Sequence, residues 1–142
     1  MKKLINIRDN VAFNKIVQVC NYFGNNYKGY RRAVAKCPLN KDLVLWFPKL
    51  YNNKDWDNKI SDNGKIITEI KKEGNEERIK NIKFETNIID TKRIVYAGEK
   101  DDHKKISYVF KGVFELDKEK SLNCGKAIYD RISDEIEIGK SV

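Results

Sequence analysis

Basic and aromatic side chains are concentrated in one short tract of the sequence. Four cations and two tyrosines fall within the ten residues Tyr27–Lys36. Lys and Arg neutralise phosphates, and a tyrosine ring stacks on a base or packs against a guanidinium. The tract therefore predicts contacts with nucleic acid, made by Lys28, Tyr30, Arg31, Arg32 and Lys36. The alternative is a solvated basic loop whose tyrosines belong to the core.

A second group of residues has the composition of a nuclease site. Glu69 and Lys71 lie on a predicted strand, and Asp55, Asp57 and Asp62 precede them. Nucleases of the PD-(D/E)xK kind use an Asp, a Glu and a Lys in this order. Alternate strand positions share a face, so a carboxylate and an ammonium can converge there on a magnesium-bound water. The alternative is a solvated strand face, since Glu-x-Lys is common in a chain with 35% charged residues.

A tryptophan in polar surroundings is the third feature that could do chemistry. Trp56 stands in the polar stretch 53–58, where it either anchors a loop or forms one wall of a ligand pocket. Trp46 and Phe47 are neighbours in a predicted buried strand and must point to opposite faces of the sheet. Both can be core residues only if both faces of that sheet are covered.

Conventional catalytic and cofactor motifs are absent from the sequence. The single histidine, His103, lies in a charged, hairpin-like loop, which is not the buried environment that a catalytic triad needs. There is no P-loop and no G-x-G-x-x-G motif, and the three cysteines include no C-x-x-C pair. We therefore expect no catalytic residue, no metal and no cofactor.

The positive charge of the chain belongs to its first third. Residues 1–50 hold ten Lys or Arg and two Asp or Glu, whereas residues 51–142 hold nineteen of each. The whole formal charge of +8 therefore lies in residues 1–50, and the pI is 9.3. This asymmetry predicts a surface that meets a polyanion. The alternative is that folding spreads the charge over unrelated faces.

Length and composition indicate one soluble domain over residues 1–142. No apolar run approaches the roughly 18–20 residues of a membrane span, and the Met-Lys-Lys start leads into no signal-peptide region. Three widely spaced cysteines argue against a disulfide framework. We expect a cytoplasmic protein.

Hydrophobic periodicity predicts one early helix followed by short strands. The helix covers Val11–Phe23 and ends at Gly24. A polar segment, Asn75–Ile82, is compatible with a second, short helix. The predicted strands are Leu43–Phe47, Lys65–Ile70, Arg93–Ala97, Ile106–Leu116, Ala127–Ile132 and Glu135–Ile138.

The order of these elements predicts an α+β fold with a small, strongly curved β-barrel. The alternation of the strand Ile106–Leu116 changes phase around Gly112, which indicates a bulge or bend. A doubly wound sheet is excluded because the alternating crossover helices are missing.

Several of these strands resemble one family. The segments Leu45–Leu50, Arg93–Ala97, Tyr108–Asp117 and Tyr129–Ser133 resemble PUA-like modules of the SRA kind, which accompany HNH and other modification-dependent restriction endonucleases. The resemblance implies a curved PUA-like β-barrel with an N-terminal helix and short flanking helices. It also implies nucleic-acid binding, with a modified cytosine flipped into an aromatic-lined pocket.

Residues and resemblance together predict a non-catalytic nucleic-acid-binding module, with DNA favoured over RNA. Trp46, Trp56 and Tyr108 are the candidate pocket walls, and Asp57 is the candidate acceptor for an exocyclic amine. Such a module acts alone or with a separate nuclease protein. The alternatives are a small magnesium-dependent nuclease and a protein-interaction module, such as an inhibitor of a nucleic-acid enzyme.

Overall fold

A mixed, mostly antiparallel sheet forms the centre of the molecule. The computed structural model describes residues 2–9, 11–28, 34–84 and 92–139. The strands are β1 (Lys2–Asn6), β2 (Ala12–Phe13), β3 (Val34–Lys36), β4 (Val44–Trp46), β5 (Trp56–Ile60), β6 (Ile66–Lys71), β7 (Lys92–Lys100), β8 (Ile106–Leu116), β9 (Ala127–Ser133) and β10 (Glu135–Gly139). The helices are α1 (Ile16–Tyr22), α2 (Asn75–Phe84) and α3 (Lys118–Cys124), with a 3₁₀ turn at Ile7–Asp9.

The main sheet is an open path of strands. Its order is β3-β4-β7-β8-β9-β6-β5, and β2 pairs with β8 beside this path. Only β4 and β7 run parallel among the pairs of this sheet that the structure describes, and β1 pairs with β10 in a separate ribbon. The predicted α+β class is confirmed. Closure into a barrel is not confirmed, because β3 and β5 remain edges among the described strands.

Two hydrophobic clusters cover the two faces of the central strands. Ile94 and Tyr96 of β7 belong to one cluster, and their neighbours Val95 and Ala97 belong to the other. Strand alternation explains this division. Phe47 lies in the first cluster and Trp46 in the second, and both are buried. Both faces of the sheet are therefore covered, so the adjacent rings of Trp46 and Phe47 can both be buried although they point in opposite directions.

Helix α1 is shorter than the predicted helix Val11–Phe23. Ala12 and Phe13 form β2 instead, and pair with Val109 and Tyr108 of β8. A strand partner satisfies the backbone of these two residues, so tertiary pairing overrides their helical periodicity. The helix begins after Lys15, whose backbone N–H donates to Oε1 of Gln18 at 3.1 Å.

The bulge predicted near Gly112 is confirmed. Val95 pairs with Gly112 and Tyr96 with Phe110, which leaves Lys111 as the extra residue on β8. Gly112 has φ +116°, a backbone conformation that favours glycine. A β carbon there would stand 2.6 Å from the carbonyl oxygen of Ser133.

Sequence patterns missed several elements, among them β3 and β5, which both line the cavity described below, and helix α3. Strand β5 contains the stretch around Trp56 that looked like a polar loop, and it forms a hairpin with β6. Helix α3 is capped at its N-terminus by Asp117, whose side chain accepts from the backbone N–H of Lys120 at 3.0 Å. Within the described residues, no helix is both long and apolar enough to cross a membrane.

Candidate binding cavity

An open cavity of about 490 Å³ lies where the β5–β6 hairpin meets β4, β7 and α2. Its volume falls in the roughly 300–1,000 Å³ range of small-molecule pockets. Aromatic, amide and charged side chains share its wall, which contains Trp46, Asn53, Trp56, Asn58, Glu69, Arg78 and Arg93. A cavity of this composition can hold a flat, polar ring.

The register of the β5–β6 hairpin puts two acceptors side by side. Asn58 pairs with Glu69, and Trp56 pairs with Lys71, so these four residues share one face. Asn58 is 8% exposed and Glu69 is 5% exposed. A buried amide and a buried carboxyl thus stand next to each other in the cavity wall.

Glu69 is held by an ion pair with helix α2. Its Oε1 lies 2.6 Å from Nη2 of Arg78. Burial raises the pKa of the Glu69 carboxyl, and the positive charges of Arg78 and Arg93 oppose this rise. A charge-assisted hydrogen bond of this length fixes both side chains.

Two guanidinium groups also stack on the aromatic walls. Cζ of Arg78 lies 5.0 Å from the Trp56 ring centroid. Arg93 lies 4.8 Å from the Trp46 ring and 5.0 Å from the Tyr129 ring. Cation–π contacts at these distances hold the rings in position.

Two buried amide atoms in the cavity wall have no hydrogen-bond partner in the described structure: Nδ2 of Asn53 and Oδ1 of Asn58. Each amide is oriented by its other end. Oδ1 of Asn53 accepts from the backbone N–H of Trp56 at 2.9 Å, and Nδ2 of Asn58 donates to the carbonyl of Lys49 at 3.3 Å. An unpaired buried polar atom carries a desolvation cost of about 1–3 kcal/mol, which a ligand with complementary groups would relieve.

With this geometry established, comparison with known proteins identifies the family. Residues 1–138 match the sequence profile of the SRA (SET and RING associated) domain. This chain belongs to the SRA family. The SRA chain also matches the structure of the 5-hydroxymethylcytosine-specific restriction enzyme AbaSI, with a TM-score of 0.78 and 34% sequence identity. The match covers 98% of this chain and 44% of the AbaSI chain, and no curated protein matches. The predicted resemblance to SRA modules is confirmed.

The structure brings only two of the four predicted pocket residues together in this SRA domain. Trp46 and Trp56 line the cavity. Asp57 points to the opposite face of β5 from its neighbours Trp56 and Asn58, and its Oδ2 lies 3.8 Å from Nζ of Lys59. Tyr108 is outside the cavity lining and packs edge-on against Phe47 in the first hydrophobic cluster. Strand alternation reverses the face at each residue, so Asn58 and Glu69 line the cavity and Asp57 does not.

The predicted phosphate contacts are described only at the ends of their tract. Lys28 and Lys36 are exposed, and Lys36 ends the edge strand β3 of the SRA sheet. Tyr30, Arg31 and Arg32 lie outside the described residues. Contact of this tract with nucleic acid stays a prediction.

The residues of the nuclease alternative have other partners in the SRA fold. Glu69 is paired with Arg78, and Nζ of Lys71 lies 5.9 Å from the Trp56 ring. Asp55 lines the cavity, whereas Asp57 is on the other face of β5. Across the part of the chain that the structure describes, no three His, Cys, Asp or Glu side chains form a group that could hold a metal ion.

Sequence reasoning missed Asn53, Asn58, Arg78 and Arg93 as residues of the SRA cavity. A signal for Asn58 was present, because a hairpin centred on Asn63 and Gly64 pairs Asn58 with Glu69. No local signal marked the two arginines. Arg93 meets Trp46 through the parallel pairing of β4 and β7, which joins distant parts of the chain.

Proposed function

We propose that this SRA domain is a non-catalytic DNA-binding module that holds a flipped, modified cytosine in the cavity between Trp46 and Trp56. Family membership supports this proposal, as does the similarity to an enzyme described as specific for 5-hydroxymethylcytosine. In this proposal the module serves a restriction system in the cytoplasm. DNA cleavage then belongs to a separate nuclease domain or protein.

The paired acceptors of Asn58 and Glu69 carry the proposal. The exocyclic amine of cytosine has two N–H groups, and two neighbouring acceptors on adjacent strands complement them. Thymine and uracil present a carbonyl oxygen at the same ring position, which would face these acceptors without a hydrogen bond. Nδ2 of Asn53 adds a donor that suits an acceptor atom of the same base.

The aromatic walls provide the energy that flipping requires. Taking a base out of a duplex costs a few kcal/mol, and stacking on an aromatic ring returns about 1–3 kcal/mol per base. Trp56 is half-buried on the edge strand β5, so its ring is reachable from outside the domain. Trp46 is only 2% exposed and forms the deeper wall.

The remaining parts of the proposal concern the DNA backbone and the shape of the sheet. Lys28, Tyr30, Arg31, Arg32 and Lys36 would contact phosphates and sugars beside the flipped nucleotide. A strongly curved, PUA-like sheet suits this task, because bending wraps the domain around a single extruded base.

Titration of matched duplexes tests the proposed function. The duplexes carry cytosine, 5-methylcytosine, 5-hydroxymethylcytosine or thymine at one position and are compared at two salt concentrations. We expect tighter binding to a modified cytosine than to thymine. Asn58→Ala and Glu69→Gln should flatten this preference, and the control Asp57→Asn, on the opposite face of β5, should keep it. Equal affinity of the unsubstituted protein for all four duplexes would overturn the proposal.

A further inference from the structure

We infer that Arg78 is a positioning residue of the cavity, which holds Glu69 as an anionic acceptor and so sets the preference for a base with an exocyclic amine. The inference rests on the proposed function, because it assigns a role to Arg78 through the acceptor that reads the base. Arg78 belongs to α2, outside the strands that carry the other polar walls.

One side chain links the aromatic wall and the acceptor of the cavity. The guanidinium of Arg78 stacks over Trp56, while its Nη2 contacts Oε1 of Glu69 at 2.6 Å. Nη1 also lies 3.4 Å from the backbone carbonyl oxygen of Glu69. A planar guanidinium has several donors in a rigid fork, so it can hold the carboxyl and stack on a ring at once.

The Arg78 side chain lines the cavity and does not fill it. The cavity has its volume of about 490 Å³ with the Arg78 side chain in place, and Arg78 is one of its lining residues. In this inference the base occupies that volume beside the guanidinium. The ion pair joins Oε1 of Glu69 to Nη2 of Arg78, and in this inference the carboxylate accepts from the ligand amine while it keeps that pair.

The charge of Glu69 depends on its cationic neighbours. Burial raises the pKa of this carboxyl, and the charge of Arg78 is the largest opposing influence, followed by that of Arg93. The other charged side chains that line the cavity are those of Lys49 and Asp55. The Tyr129 hydroxyl lies 3.4 Å from Nη2 of Arg78. Without Arg78, protonation of Glu69 would replace an acceptor with an O–H donor.

The test measures the pH dependence of binding in Arg78 variants. Affinity for a 5-hydroxymethylcytosine duplex and for its thymine counterpart is titrated between pH 6 and pH 9. We expect Arg78→Gln to lose about 10- to 100-fold of its affinity for the modified duplex at pH 6 and to regain part of it as the pH rises. The unsubstituted protein and Arg78→Lys, which keeps the charge, should show flat profiles. A purely structural role for Arg78 would give a loss that does not change with pH.

A double-variant comparison makes the inference falsifiable even if Arg78→Gln is less stable. In the Glu69→Gln background, Arg78→Gln should add no pH-dependent loss, because the titrating carboxyl is gone. Lys80→Gln, on an exposed position of the same helix, is the matched control. An Arg78→Gln profile parallel to that of the unsubstituted protein, or an equal pH effect without Glu69, would overturn the inference. Failure of the proposed function looks different, because the unsubstituted protein would then fail to discriminate between the two duplexes.

Discussion

Glu69 is the residue at which burial, charge and hydrogen bonding meet. It is 5% exposed, pairs with Arg78, and stands beside the unpaired carbonyl oxygen of Asn58. Removing a carboxylate from water is costly, and the two nearby guanidinium groups offset part of that cost. Oδ1 of Asn58, on the residue paired with Glu69, has no hydrogen-bond partner among the described residues, which supports the ligand of the proposed function.

The first residue-scale prediction concerns the pH dependence of stability. Because burial raises the pKa of Glu69 above its ordinary value of 4.5, the folded state binds this proton more tightly than the unfolded state does. Stability from this group therefore grows as the pH falls towards 4.5, and it is lost as the pH rises through the folded pKa. The Glu69→Gln variant should lack this pH-dependent contribution to the free energy of unfolding. Urea unfolding of both proteins between pH 4.5 and pH 8 measures the difference, and parallel curves would contradict the prediction.

The second residue-scale prediction separates the two tryptophans of the cavity. Trp56→Ala should melt near the unsubstituted protein but lose about 1–3 kcal/mol of binding, because in the proposed function its half-buried ring stacks on the base. Trp46→Ala should instead lose about 3–5 kcal/mol of folding free energy, because its ring is a buried part of the second cluster. Thermal melting and duplex titration check the pair. A Trp56→Ala protein that binds every duplex normally would remove Trp56 from the site.

At the scale of elements, two antiparallel pairs shape the molecule around the cavity. The β5–β6 hairpin sets which side chains share a face, and the β7–β8 pair carries the bulge at Lys111. Helix α3 is tied to β9 through Ser121, whose hydroxyl accepts from the backbone N–H of Ile128 at 2.8 Å and donates to the carbonyl of Asp117. Most of the polar and aromatic lining lies on strands and on α2, which position side chains more accurately than loops do.

The element-scale prediction tests the bulge. Gly112→Ala should destabilise the fold by about 2–5 kcal/mol, because alanine is strained at this φ and its β carbon would stand 2.6 Å from the Ser133 carbonyl oxygen and 2.8 Å from Cδ of Arg131. Gly125→Ala is the control, since Gly125 also has a positive φ but nothing lies within 4 Å of an added β carbon. The control should lose only about 1–2 kcal/mol. Equal losses in urea unfolding would show that close approach at Gly112 is unimportant.

At the scale of the whole molecule, charge and cavity have separate tasks in the proposed function. The net positive charge comes from residues 1–50, whereas the polar side chains that line the cavity come mainly from residues 53–93. Contacts to phosphate supply affinity and its salt dependence, and contacts to the base supply selectivity. The two properties should therefore respond to different substitutions.

The whole-molecule prediction uses this separation. Four cations in the tract Tyr27–Lys36 should give a slope of log K against log salt of about −3 to −4 if all of them engage duplex phosphates. Arg31→Ala combined with Arg32→Ala should make the slope shallower by about 2, with the preference for modified cytosine retained. Titrations at several salt concentrations measure both quantities. An unchanged slope in the double variant would exclude this tract as the phosphate contact.

Local sequence patterns were enough to predict the α+β class, most of the strands, the bulge at Gly112 and the opposite faces of Trp46 and Phe47. These features depend on local periodicity and local backbone conformation, which neighbouring residues control. The resemblance to SRA modules also came from the residues of these strands.

The side chains that form the cavity could be recognised only from the folded structure. A shift of one residue along β5 exchanges Asp57 for Asn58, so a stretch interpreted as a loop could not show which of the two side chains lines the cavity. Pairing with β8 likewise turned Ala12 and Phe13 from helix into strand. The stacking of Arg78 on Trp56 and of Arg93 on Trp46 joins residues that are far apart in the chain. Such contacts follow from the packing of whole elements, which no local pattern of residues encodes.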